Sequence, residues 1–166
     1  MQLDLKNCTI TLRDGTLVTP NTLEITLGEG NIKWSEKVNR IYTKNKGALD
    51  EVRNGDEDPI EVSFEFTWKY VTGSSTTGAV PTPIDALKNI GNASTWLSSD
   101  SDGCRPYAVD IIIVHTPVPS TCGDKETYTL SDFRYEGMDF DLSAATISCS
   151  GKCNVTEAVV LREAQP

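Results

Sequence analysis

A single histidine, His115, stands among the 166 residues. A hydrolase triad would have to be built around that one imidazole, and no Gly-x-Ser-x-Gly turn accompanies it. Long apolar runs are missing as well. None exceeds four residues, the length of Ile111-Ile112-Ile113-Val114, whereas a membrane-crossing helix needs about 20. Met1 to Lys6 hold no basic region followed by an apolar stretch, which predicts no secretory signal, folding in a reducing cytoplasm and no membrane partner. Basic residues are in deficit: 15 Lys and Arg against 24 Asp and Glu leave a net charge of −9, the wrong sign for gripping nucleic-acid phosphates. No Walker or dinucleotide glycine motif occurs, because Gly28-Glu29-Gly30 lacks the third glycine and the helix after it. Asp100-x-Asp102-Gly103 opens like a calcium loop but has Cys104 where an oxygen ligand belongs. Neither a cofactor nor a catalytic constellation is expected.

What the chain does have is punctuation by Gly, Pro, Asn and Asp between short segments rich in Val, Ile, Thr and aromatics, the pattern of strands joined by turns. Glu61 to Tyr70 alternates without a break. Val62, Phe64, Phe66, Trp68 and Tyr70 are expected in the core, and the odd positions face away. Leu23, Ile25 and Leu27, a turn at residues 28–31, then Ile32 and Trp34 predict a hairpin. Tyr107 to Val114 reads as a central strand covered on both faces, and the regions of Ala145–Ser150 and Val159–Leu161 as two further strands. One helix is predicted, capped by Thr82, with Pro83 at its first position, Asp85 in its first turn and Gly91 as its end. The whole, residues 1–166, reads as one mainly β domain with a long loop over 33–59 and a flexible loop over 72–80.

Charge is segregated. Lys33, Lys37, Arg40, Lys44 and Lys46 against Glu36 give residues 33–46 a charge of +4. Asp50, Glu51, Asp56, Glu57, Asp58, Glu61 and Glu65 against Arg53 give residues 50–65 a charge of −6. Two outcomes stay open: the segments neutralise each other within a subunit, or they meet on neighbouring subunits. The five cysteines are expected as free thiols. A disulfide or a thiolate metal site among Cys104, Cys122, Cys149 and Cys153 is the alternative, with Cys149-x-x-x-Cys153 as the tightest pair.

Several stretches together resemble bacteriophage tail tube (major tail) proteins of long-tailed phages. They are Leu5-Lys6-Asn7 with Arg13-Asp14-Gly15, Leu27 to Lys37, Gly47 to Phe64, Arg105 to Ile111, Phe133-Arg134-Tyr135-Glu136 and Gly151 to Ala158. The resemblance implies a β-sandwich or barrel-like sheet with a flanking helix, and a structural protein rather than an enzyme. It implies six copies to a ring, rings stacked into a hollow tube, and inner strands joined into one barrel through which phage DNA passes without specific binding. Tape measure and tail-end proteins are the implied partners, and the virion tail, assembled in the host cytoplasm, the implied location. On that picture Glu61, Ser63, Glu65, Thr67 and Lys69 face the lumen. Lys33, Lys37, Arg40, Lys44, Lys46, Asp50, Glu51, Asp56, Glu57 and Asp58 make subunit contacts. The competing readings are a monomeric β-sandwich binding a carbohydrate or protein through exposed Trp68, Trp96 and Tyr107, and a thiol- or metal-dependent enzyme using Cys149 and Cys153.

Overall fold

The computed structural model describes residues 3–28, 30–69 and 80–165. Ten strands account for half of them: β1 (Cys8–Arg13), β2 (Thr22–Glu24), β3 (Ile32–Ser35), β4 (Val38–Asn45), β5 (Ala48–Glu57), β6 (Ile60–Thr67), β7 (Val109–His115), β8 (Lys125–Asp141), β9 (Thr146–Cys153) and β10 (Val159–Glu163). Eight of them form one antiparallel sheet in the order β2-β1-β7-β8-β9-β6-β3, with β10 also on β8. The remaining two, β4 and β5, form a separate ribbon.

β8 is the strand on which the sheet folds over. Its first half pairs with β7 and β10, and its second half with β9. Between the halves the register slips twice, once opposite Val109–Ile111 and once between Tyr135 and Gly137. Asp132, at the first slip, has φ +58, and its backbone N–H donates to Asp110 Oδ1 at 3.1 Å, so the extra residue leaves no orphaned donor there. Gly151 is required at the second: a Cβ there would stand 2.1 Å from the Arg134 carbonyl oxygen. Bulges of this kind bend a strand from one layer into the next. The alternating inner residues of both layers therefore meet in one core, with Ile10, Leu12, Ile111 and Leu130 from one and Val62, Phe64, Phe66, Ile147 and Cys149 from the other. Trp34 on β3 lies against Tyr128 on β8, with ring centroids 5.7 Å apart, at the rim of that core. Among the described residues, the mainly β sandwich-like architecture with one short α-helix is thus as expected, and the ladder does not close into a barrel.

The helix α1 (Pro83–Lys88) begins as its sequence predicts: Thr82 Oγ1 accepts from the Asp85 N–H and the Asp85 carboxylate accepts from the Thr82 N–H. It ends earlier than expected, at Asn89 in the left-handed region rather than at Gly91. The Tyr107 hydroxyl donates to the Ala86 carbonyl at 2.9 Å and ties α1 to the sandwich.

Four expectations need correcting. β2 and β3 do not form a hairpin; they lie at opposite ends of the strand order. The connector between them crosses the open side instead. The Ile25 N–H donates to Ile10 O, and the Thr67 N–H donates to Thr26 O. Its apolar alternation is real, since Leu23, Ile25, Leu27 and Ile32 are all buried, but alternation does not specify the pairing partner. Residues 33–59 are not a long loop: most of them are in β3, β4 and β5. β4 and β5 stand in water on both sides, so no burial alternation marked them as strands. Trp68 lies beyond the end of β6, 37% exposed, with its ring edge-on to Phe140. β7 is buried at its odd positions and only half-buried at its even ones, so one face and not both belongs to the core. Tyr70 and residues 72–79 of the expected flexible loop fall outside the described residues, and Val80 is exposed.

Candidate assembly surfaces

Opposite the core, the strands β8, β9, β6 and β3 present a face made almost wholly of polar side chains. Register places Asp139 beside Ser148 and Ser148 beside Glu65 in one row, with Ser150, Ser63 and Lys33 in the next. A third row runs Arg134, Lys152, Glu61 and Ser35. The Ser148 hydroxyl donates to Glu65 Oε2 at 3.2 Å, which fixes that carboxylate across two strands. Between the rows lies a shallow depression of about 420 Å³ lined by small hydroxyls, Lys33 and the carboxylates of Glu65 and Asp139. Glu61, Ser63, Glu65 and Thr67 all lie on this face, exposed or half-buried. Lys69 does not continue the row. It follows the end of β6, and its ammonium donates to Thr26 Oγ1 at 3.0 Å. The contributions of β8 and β9 (Asp139, Ser148, Ser150, Lys152) were missed from the sequence. The Ser-x-Ser alternation of β9 carried the signal, but only the pairing of β9 with β6 turns it into one surface.

The second surface is the β4–β5 ribbon. Every residue of both strands is exposed except the half-buried Gly55. The basic and acidic segments run side by side here, yet the register keeps them from neutralising each other. Arg40 stands opposite Asn54, Lys44 opposite Leu49, Glu51 opposite Thr43, Arg53 opposite Ile41 and Glu57 opposite Val38. Arg40 Nη1 donates to the Asn54 amide oxygen at 2.7 Å instead of to a carboxylate. Among the described residues, no ion pair links β4 to β5. Ten candidate contact residues thus separate into three places. Arg40, Lys44, Lys46, Asp50, Glu51, Asp56 and Glu57 are on the ribbon, Lys37 and Asp58 at its base, and Lys33 on the polar sheet face.

A different set of charges is consumed within the fold. The Asp100 carboxylate accepts from the Asp102 N–H at 3.0 Å, from Arg134 at 2.8 Å and from Arg105 at 3.3 Å. Those donors, the Asp102 N–H foremost and then the two guanidinium groups, hold its acidity at about 2. Asp14 is buried and accepts from both the backbone and the side chains of Thr16 and Asn21 and from the Leu97 N–H. Both are structural clasps.

Among the described residues, no group of three or more histidine, cysteine and acidic side chains is placed to hold a metal ion. His115 closes β7, buried, and its Nδ1 has no hydrogen-bond partner among the described residues. All five cysteines are free thiols. Cys149 and Cys153 both face the core from β9, four residues apart along one strand and so about 13 Å from each other, too far to share an ion or a disulfide. Burial pushes both thiols up to about 12. Cys104 and Cys122 are exposed, Cys104 before β7 and Cys122 in a single 3-10 turn (Ser120–Cys122) after it. The aromatic platform of the binding-module reading is also unmade: Trp96 is buried, and the Tyr107 hydroxyl is spent on Ala86.

No model of a known protein family matches the chain, and no curated protein matches its sequence. Solved structures do match its fold. The anti-feeding prophage cap (AFP tube terminating cap) aligns over 98% of this chain and 93% of its own at a TM-score of 0.60 and 9% identity. The sheath/tube terminator of the PVC extracellular contractile injection system aligns over 97% of both chains at 0.56 and 9%. A chain of the PVC sheath-tube complex aligns over 98% of this chain and 93% of its own at 0.54 and 10%. The fold is therefore one shared with tail-tube-related components of contractile injection systems, and not specifically with a phage major tail protein.

Proposed function

We propose that the protein is a structural, non-enzymatic subunit of a phage-like tail. It assembles into six-membered rings that stack into a tube, with the polar face of β8–β9–β6–β3 turned to the lumen. The observation that carries this reading is the ribbon: two hydrogen-bonded strands of opposite charge with no ion pair between them among the described residues leave both sets of charges for other copies of the chain. Opposite patches on one subunit make a heterologous contact, which closes rings or propagates stacks. A lumen of serine and threonine hydroxyls in which Glu61, Glu65 and Asp139 balance Lys33, Arg134 and Lys152 gives phosphates no net basic surface to grip and lets DNA slide. On this reading the chain works in the virion tail, built in the host cytoplasm, beside tape measure and tail-end proteins.

The likeness to the AFP cap favours a second reading, in which the ring ends a tube instead of repeating along it. Sedimentation velocity across a concentration series tests both. A species of six times the 18.1 kDa chain mass, growing to larger particles, supports the tube subunit. Growth that stops at the ring supports the terminator, and a monomer throughout contradicts both.

A further inference from the structure

Asn54 and Gly55 form the one Asn-Gly pair in the chain. They lie on β5, with Asn54 exposed, and line a cleft of about 330 Å³ at the base of the ribbon together with Asn39, Arg40, Asp56 and Glu157. Three features of this place act on the Asn54 amide. Arg40 Nη1 donates to its carbonyl oxygen at 2.7 Å, so a positive charge already sits on the atom that turns negative when Cγ is attacked. The next residue has no Cβ, which leaves its backbone nitrogen unshielded from the Asn54 side chain. The ladder is also broken here: Arg40 stands opposite Asn54 and Val38 opposite Glu57, so Gly55 and Asp56 together face Asn39.

An even ladder would keep the Asn54 amide away from the Gly55 nitrogen, because a five-membered ring closes only when the peptide between them turns out of the extended conformation. This ribbon is not held so firmly. Its register slips again between Thr43 and Lys44, and both of its faces stand in water. A two-stranded ribbon of that kind opens locally at little cost. We infer that Asn54 is a self-modifying site, at which Gly55, aided by Arg40, converts the side-chain amide to an acid. Hydroxide takes the Gly55 N–H proton, and the nitrogen attacks Cγ while the guanidinium holds the oxyanion. The Cγ–Nδ2 bond then breaks. The leaving nitrogen takes a proton from water and departs as ammonia, which returns the hydroxide and leaves a cyclic succinimide. One water opens that ring to aspartate or to isoaspartate, whose backbone runs through Cβ. The aspartate product presents a carboxylate to the same guanidinium, a stronger hydrogen bond than the amide made. The conversion therefore places across the ribbon an ion pair that its register otherwise withholds. It concerns the single chain and does not depend on self-assembly.

Peptide mapping by mass spectrometry, on dilute protein aged in mildly alkaline buffer, tests the inference. Asn45 is the internal reference, exposed on the same ribbon but followed by Lys46. Acid should appear at Asn54 roughly tenfold faster than at Asn45. Arg40→Gln should slow its appearance roughly threefold, less than a buried oxyanion donor is worth because the cleft is wet, and Arg40→Lys, which keeps the charge, should restore it. Conversion at Asn54 no faster than at Asn45 would mean that the ladder protects the amide and would overturn the inference. An Arg40→Gln protein that converts as fast as its parent, or faster, would overturn it too, since the guanidinium would then only restrain the amide.

Discussion

The rings of Phe64 and Phe133 lie 5.8 Å apart, one on β6 and the other at the point where β8 changes layers. Phe133 also stands in register with Val109 on β7 and Cys153 on β9, so a single fully buried side chain joins three strands and both halves of the sandwich. The two outer faces are positioned by that corner. The bend of β8 leaves Ser148 and Ser150 of β9 on the polar face and turns Thr127 and Thr129 of β8 onto the outer face of the other layer.

Phe66, 1% exposed, shares that core with Phe64 at 5.8 Å. Phe66→Ala should cost about 3–5 kcal/mol, which for a domain of this size lowers Tm by roughly 6–20 °C. Thermal denaturation followed by circular dichroism reads it, and an unchanged midpoint would mean that the even positions of β6 do not form the core.

Acid should weaken the fold through Asp100. Its folded acidity of about 2 lies below the ordinary carboxylate value of about 3.9, so its contribution is complete above that ordinary value and is lost as pH falls toward 2. The urea midpoint of Asp100→Asn should fall below wild type at pH 6, and the gap should shrink as pH drops to 2.5. A gap that stays constant with pH would contradict the clasp.

Thiol chemistry should divide the cysteines. Ellman's reagent should modify Cys104 and Cys122 promptly in the folded protein and leave Cys149 and Cys153 untouched until denaturant is added. Four rapidly reacting thiols without denaturant would show that β9 does not face the core.

Reversing charge at the base of the ribbon separates assembly from folding. Lys37→Glu with Arg40→Glu should weaken self-association at least tenfold and leave monomer stability within about 0.5 kcal/mol, as for exposed sites. Sedimentation equilibrium and a melting curve on the same sample report the two quantities, and normal assembly would remove the ribbon's charges from the contact.

Much of the fold was legible because one-sided burial imposes a period of two. Val62, Phe64 and Phe66 were placed on their face from alternation alone, and the Thr82-Pro83-x-Asp85 cap located the helix start. Pairing was not legible. Ile25 and Leu27 alternate like a hairpin strand, yet their backbone serves a connector, since period tells a residue which way to point and not which strand to join. β8 escaped for a related reason: its two register slips shift the period along 17 residues. The surfaces followed the same rule. Glu61, Ser63 and Glu65 were found on β6, while the rows they make with β9 and β3 exist only once register is known.

Negative-stain electron microscopy of the purified protein through a concentration series tests the assembly claim most directly. Six-membered rings with a central hole, stacking into tubes as concentration rises, are the predicted result. Uniform single subunits at every concentration, with no rings, would contradict it.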